Sequence, residues 1–151
     1  MTGFVLREAL PGDVPAIVAL LADDDLGASR ETGADPKAYA AAFAAIDRDP
    51  NNALYVLEQG GRLIGCFQLT FIPGLSNKGA WRGQIESVRI ASDLRGHGHG
   101  ARLIKTAIQM CQARGCRTVQ LSTHKQRTKA HRFYERLGFV ASHEGMKLAL
   151  P

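Results

Sequence analysis

The period of the apolar residues changes several times along this chain, and each change marks a candidate element. Residues 4–9 form a short β-rich run, after which Pro11-Gly12-Asp13 starts a helix whose Val14, Ile17, Val18 and Leu21 fall at i, i+3, i+4 and i+7. The acidic triplet Asp23-Asp24-Asp25 and the stretch to Asp35 predict a loop. The alanine-rich segment 37–48 predicts a second helix on propensity, anchored by Tyr39, Phe43 and Ile46. Two β-rich runs, 54–58 and 62–72, flank Gln59-Gly60-Gly61, which has the length and chemistry of a tight hairpin. Pro73-Gly74 ends the second run, and 75–83 reads as a polar loop. In the strand predicted over 84–91, strict alternation puts Glu86, Val88 and Ile90 on one face. Ile85 then either packs on a second covered face or is reconciled with Val88 by a bulge.

Between Gly100 and Arg114, Leu103, Ile104, Ala107, Ile108 and Cys111 make another helical stripe, stopped by Gly115. Residues 118–122 read as a buried strand and 128–137 as a short helix ended by Gly138. A last strand is predicted over 145–150. Repeats, low-complexity tracts and linkers are absent from the sequence, so residues 1–151 read as one α/β domain with a mixed sheet. A chain of 151 residues, 45% hydrophobic, buries roughly two-thirds of the surface of its unfolded form without help from disulfides or metals. Cys66, Cys111 and Cys116 are an odd number without paired spacing, and no basic-then-apolar leader opens the sequence, so a reducing cytoplasm is expected. No apolar run approaches the ~20 residues that cross a bilayer, so no membrane partner is expected.

Charge changes the picture. The net value is +5, but residues 1–75 hold 5 Lys/Arg against 10 Asp/Glu and residues 76–151 hold 14 against 4. A basic second half that also contains a glycine-rich loop points to a polyanionic ligand, and the acidic first half to a cation. Nucleic acid is not the expected polyanion, because neither exposed aromatic interleaving nor a recognised binding motif accompanies the charge.

The glycine-rich loop runs Asp93-Leu94-Arg95-Gly96-His97-Gly98-His99-Gly100-Ala101, between a strand and a helix. Its glycines let the backbone approach a ligand so that free N–H groups at the helix start meet phosphate oxygens. A dinucleotide fingerprint would need its third glycine one position later and a carboxylate on the next strand, where Thr118-Val119-Gln120-Leu121-Ser122 has none. A triphosphate loop would need Gly-Lys-Ser or Gly-Lys-Thr, also missing.

What remains, Arg95-x-x-Gly98-x-Gly100, resembles the pyrophosphate loop of the GCN5-related N-acetyltransferase (GNAT) family. Downstream, Ala130-His131-Arg132-Phe133-Tyr134-Glu135-Arg136-Leu137-Gly138-Phe139 is similar to that family's second coenzyme-binding motif. The resemblance is carried by residues 84–140 and implies a GNAT-like α/β fold: a mixed, mostly antiparallel sheet of six to seven strands with about four helices. It implies acetyl-CoA as co-substrate, with the backbone of Val88 and Ile90 along the pantetheine arm and Arg95, Gly96, His97, Gly98, His99, Gly100 and Ala101 around the pyrophosphate. Arg127 stands where the family often has an asparagine near the pantetheine end. The implied acceptor is a small-molecule amine or a protein lysine or N-terminal amine, and a homodimer is common among look-alikes.

The same resemblance aligns Tyr134 with the general acid, a role a phenol can fill by giving a proton to the leaving sulfur. Glu86 is the candidate general base, because a carboxylate within an apolar strand is costly to bury unless function requires it. The resemblance also implies the backbone N–H of Ile90 as a donor to the developing oxyanion. His97 and His99 straddle Gly98, but no Cys/His/Asp set completes a metal site, so no metal is expected. A non-catalytic acyl-CoA sensor or interaction module is the alternative to the transferase.

Overall fold

The computed structural model describes residues 3–151, which fall into two compact units divided after Gln120. The first unit is built on one open, mixed sheet of five strands in sequential order: β1 (Phe4–Glu8), β2 (Asn52–Gln59), β3 (Arg62–Ile72), β4 (Arg82–Ile90) and β5 (Thr118–Gln120). β1 to β4 are antiparallel and β5 is parallel to β4. The helices are α1 (Val14–Leu21), α2 (Asp25–Glu31), α3 (Pro36–Asp47), a single distorted turn α4 (Ser76–Gly79) and α5 (His99–Ala113), with α6 (Thr128–Arg136) in the second unit.

Each face of the sheet carries a different helical cover. Cross-strand partners share a face, so Val56, paired with Cys66, lies on one side, and Phe67, paired with Tyr55, on the other. Val56 and Cys66 join Ile17 and Leu20 of α1 and Phe43 of α3 in a buried cluster. The opposite face is covered by α5, whose Leu103, Ile104, Ala107 and Cys111 are fully buried. Close approach of α5 requires small residues beneath it: Gly83 lies directly under Cys111, and Gly65 under Leu103.

Several expectations are corrected. The described residues form five strands and six helices rather than six to seven strands and about four helices. The expected loop over 23–35 contains α2, because Asp24 caps it by accepting from the Gly27 N–H. β5 stops at Gln120 rather than Ser122. Residues 145–150 make no strand, and Met146, Leu148 and Leu150 are exposed. Alternation alone does not make a strand: a ladder needs a neighbour, and the only regular element in that unit is a helix. No helix among the described residues is long and apolar enough to cross a membrane.

Candidate functional site

β4 is where the sheet stops being regular. Cys66 pairs with Arg89 and Gln68 with Glu86, so Phe67 alone opposes both Ser87 and Val88. This is the bulge anticipated between positions 85 and 88, and Ser87 turns it with φ 54°, a left-handed conformation uncommon outside glycine. The bulge corrects the expected shared face. Glu86 faces with Gln68 and Ile90 with Gly65, and residues 65 and 68 of β3 point to opposite sides, so Glu86 and Ile90 do too.

The bulge also aims the backbone. The Ala91 N–H bonds the Ile64 carbonyl at 2.8 Å, which makes Gly65 and Ile90 the neighbouring non-hydrogen-bonded pair. The Ile90 N–H and carbonyl therefore point away from β3, as do those of Val88 by alternation. On that side the register with β5 ends at Gln84 and Gln120, while β4 continues to Ile90. Past Gln84 the strand turns a polar edge outward beyond the reach of its parallel neighbour.

Glu86 is exposed, so the cost of burying it does not arise, contrary to expectation. Its carboxylate accepts from the Gln84 side chain at 2.6 Å, and Gln84 in turn accepts from Gln120 at 2.9 Å. Neither glutamine is a candidate on sequence alone: Gln84 stands two before Glu86 on β4, and only the parallel register brings Gln120 of β5 beside it.

The loop after β4 leads into α5 through Gly98, at φ 84° the residue that caps the helix, with Gly96 also left-handed at φ 83°. The Arg102 N–H bonds the Gly98 carbonyl, so N–H groups of the first turn, between them, have no upstream helical carbonyl. They form, with the helix dipole, an anion-binding end. The exposed Arg95 guanidinium folds back on the chain: its Nε donates to the Ile90 carbonyl at 3.2 Å and its Nη2 to the Asp23 carbonyl at 2.9 Å, 3.9 Å from the Asp23 carboxylate. Asp23 also accepts from the Ser92 N–H at 3.1 Å. The His99 ring lies 4.9 Å from that of Phe4, while His97 is an exposed residue of the loop.

Thiol chemistry is disfavoured. Burial pushes the Cys66 thiol up to about 12, and burial, helped by the neighbouring Cys116, pushes Cys111 up to about 11.

In the second unit, Arg127 precedes α6 and donates its N–H to the His124 carbonyl. Tyr134 sits on α6 with its ring edge-on to Phe133 (5.1 Å) and to Phe139 (5.8 Å). Gly138, at φ 97°, reverses the chain so that the Phe139 N–H bonds the Tyr134 carbonyl. The motif's terminal glycine and phenylalanine thus hold its tyrosine.

Residues 17–139 match the model of the acetyltransferase (GNAT) family, and the chain belongs to that family. It is an acetyl-CoA-dependent N-acetyltransferase. It is 29% identical over 138 residues to an aminoalkylphosphonate N-acetyltransferase of Salmonella typhimurium, covering 91% of this chain and 86% of that one. Over 90 residues it is 34% identical to a glucosamine 6-phosphate N-acetyltransferase of Trypanosoma brucei brucei, with 60% and 59% covered. Among solved structures, a transcriptional regulator from Bacillus halodurans C-125 superposes with TM-score 0.93 at 46% identity, over 98% of this chain and 100% of that one.

Proposed function

We propose that residues 1–151 act as one cytoplasmic N-acetyltransferase domain that acetylates a small primary amine carrying an anionic group. The observation that carries this reading is the outward polar edge of β4 beyond Gln84, followed at once by the glycine-lined start of α5. An extended pantetheine arm can add to the Val88–Ile90 edge as a further strand, with its pyrophosphate on the backbone of residues 95–101. Both curated relatives act on amines that bear a phosphonate or phosphate. Arg82 and Arg89 share the β4 face of Glu86, which places cationic side chains on the same face as the carboxylate that would meet the amine.

In this reading Glu86 takes the proton of the acceptor ammonium, directly or through water. The freed nitrogen attacks the thioester carbon, and the Ile90 N–H receives the developing oxyanion. Collapse breaks the C–S bond and Tyr134 protonates the departing thiolate; the second proton of the acylated nitrogen passes to solvent and the tyrosinate regains one, leaving an amide and free coenzyme A. Arg127 would stand by the pantetheine end.

The test is thiol release from acetyl-CoA over aminoalkylphosphonates, glucosamine 6-phosphate, aminoglycosides, polyamines and lysine peptides. Wild-type release with phosphorylated or phosphonylated amines, reduced at least tenfold by Tyr134→Phe and by Glu86→Gln, is the expected outcome. Release confined to lysine peptides or uncharged amines would remove the anionic acceptor. A non-catalytic acyl-CoA sensor draws support from the Bacillus halodurans relative, described as a transcriptional regulator; coenzyme binding without release from any amine would favour it.

A further inference from the structure

We propose that Gln120 and Gln84 form a one-way amide relay that aims the Glu86 carboxylate at the acceptor amine, making the two glutamines positioning residues for transfer. The inference rests on Glu86 being the group that meets the amine.

The relay crosses the sheet on one face. Gln84 and Glu86 are two apart on β4, hence on the same side, and Gln84 is the register partner of Gln120 on β5. The Gln120 Nε2 donates to the Gln84 Oε1 at 2.9 Å, and the Gln84 Nε2 donates to the Glu86 Oε1 at 2.6 Å. Glu86's partner across the strand pair, Gln68, turns its amide to the Asn52 Oδ1 at 3.1 Å.

The chemistry of the groups fixes the direction. An ionised carboxylate only accepts, so a glutamine beside it must present its NH2 and turn its carbonyl away. That carbonyl is then turned to β5, where Gln120 donates to it. The reverse amide orientation would set the Gln84 carbonyl against the carboxylate. With Oε1 bound to Gln84, Glu86 has its side-chain torsions restricted and Oε2 left to receive an ammonium hydrogen. An exposed carboxylate without such a partner would sample several rotamers, of which only some face the acceptor.

A particular signature follows. Gln120→Glu is nearly isosteric but can no longer donate, and its carboxylate competes for the Gln84 NH2. Gln120→Glu is therefore expected to be more damaging than the larger chemical change Gln120→Leu. If Gln84 works through Glu86, removing it from a chain already lacking the carboxylate should cost little more.

The experiment has two readouts. In side-chain 15N–1H spectra, the Gln84 NH2 resonances should move on Glu86→Gln and on Gln120→Glu; no response to either substitution overturns the relay. Kinetics with glucosamine 6-phosphate and 2-aminoethylphosphonate should show kcat lowered about tenfold by Gln84→Leu, the factor lost with one charge-assisted hydrogen bond, at unchanged KM for acetyl-CoA. Gln84→Leu added to Glu86→Gln should lower kcat less than twofold further. Wild-type kcat in Gln84→Leu and Gln120→Glu beside an impaired Glu86→Gln overturns the relay alone, as do additive losses. Wild-type kcat in Glu86→Gln overturns the role of Glu86 and the relay with it. Thermal midpoints identify a variant that fails to fold; Gln120 is exposed on a short strand, so Gln120→Glu supplies the orientation readout should Gln84→Leu be lost.

Discussion

Gly83 of β4 lies so close to Cys111 of α5 that a β-carbon at position 83 would sit 2.2 Å from the Cys111 sulfur and 3.3 Å from its Cβ. The β4 backbone cannot yield easily, because Gly83 pairs with both Phe71 and Val119 inside the sheet. Gly83→Ala should therefore cost about 1–3 kcal/mol, the usual range for an overpacked core. The combination with Cys111→Ala should recover part of that loss, since the sulfur is the nearer obstacle. Urea unfolding of both variants checks this, and an unchanged midpoint in Gly83→Ala would show that α5 can lift at no cost.

Ser87 gives a second test. A β-branched residue tolerates φ near 54° poorly, so Ser87→Val should lose about 1–2 kcal/mol. It should also raise the KM for acetyl-CoA several-fold, because the bulge sets where the Val88 and Ile90 N–H groups point. Ser87→Gly removes the strain but loosens the unfolded chain, and these nearly cancel. Wild-type unfolding and KM in Ser87→Val would show that the bulge re-forms without left-handed backbone.

The parts of the fold legible in the sequence are those with local causes. The stripe Leu103, Ile104, Ala107 and Cys111 specifies α5 and its buried face, and Gly60-Gly61 specifies the hairpin, since period and turn chemistry act over a few residues. The bulge could be named as an alternative because Ile85 and Val88 conflict in parity. An apolar strand surrounds Glu86 and suggests burial, but exposure is decided by which helices cover the face, a tertiary fact. The polar path from Gln120 to Glu86 depends on parallel pairing between segments more than thirty residues apart, which neither segment encodes alone. The apolar alternation at 145–150 met no ladder, so a pattern sufficient to suggest a strand was insufficient to make one.

Acid should weaken the start of the first unit. Arg7 donates to Asp13 at 2.7 Å and to Glu58 at 3.1 Å, and the Asp13 carboxylate also accepts from the Leu10 N–H. The hydrogen bond from Arg7 holds the Asp13 carboxyl below its ordinary value of 3.8, against the opposing effect of burial. A carboxyl lowered on folding contributes stability that is complete above that ordinary value and is lost as pH falls through the lower folded one. Urea midpoints measured from pH 7 down to pH 2 should therefore fall below about pH 4. Asp13→Asn should lower the midpoint at pH 7 and flatten the acid limb. An acid limb of unchanged steepness in that variant would assign the loss to other carboxyls.

Arg95 separates two ways in which a loop arginine can serve a phosphate site. If its charge met the pyrophosphate directly, Arg95→Lys would keep much of the affinity, since lysine binds phosphate as a point charge. The guanidinium instead spans the carbonyls of Ile90 and Asp23 from two different nitrogens, a fork an ammonium cannot reproduce. The site's anion donors are then backbone N–H groups, and Arg95 fixes their position by joining the end of β4 to the end of α1. Arg95→Lys should accordingly resemble Arg95→Ala, each raising the Kd for coenzyme A about tenfold, the loss expected when charge-assisted hydrogen bonds that set a loop are removed. Removing the Asp23 side chain should loosen the same brace less, because Arg95 donates to its main-chain oxygen at 2.9 Å, whereas the carboxylate lies 3.9 Å from Arg95 and is hydrogen-bonded by the Ser92 N–H. Calorimetric titration of the variants decides the matter: Arg95→Lys near wild type with Arg95→Ala strongly weakened would mean that on binding the guanidinium leaves its brace for the phosphate.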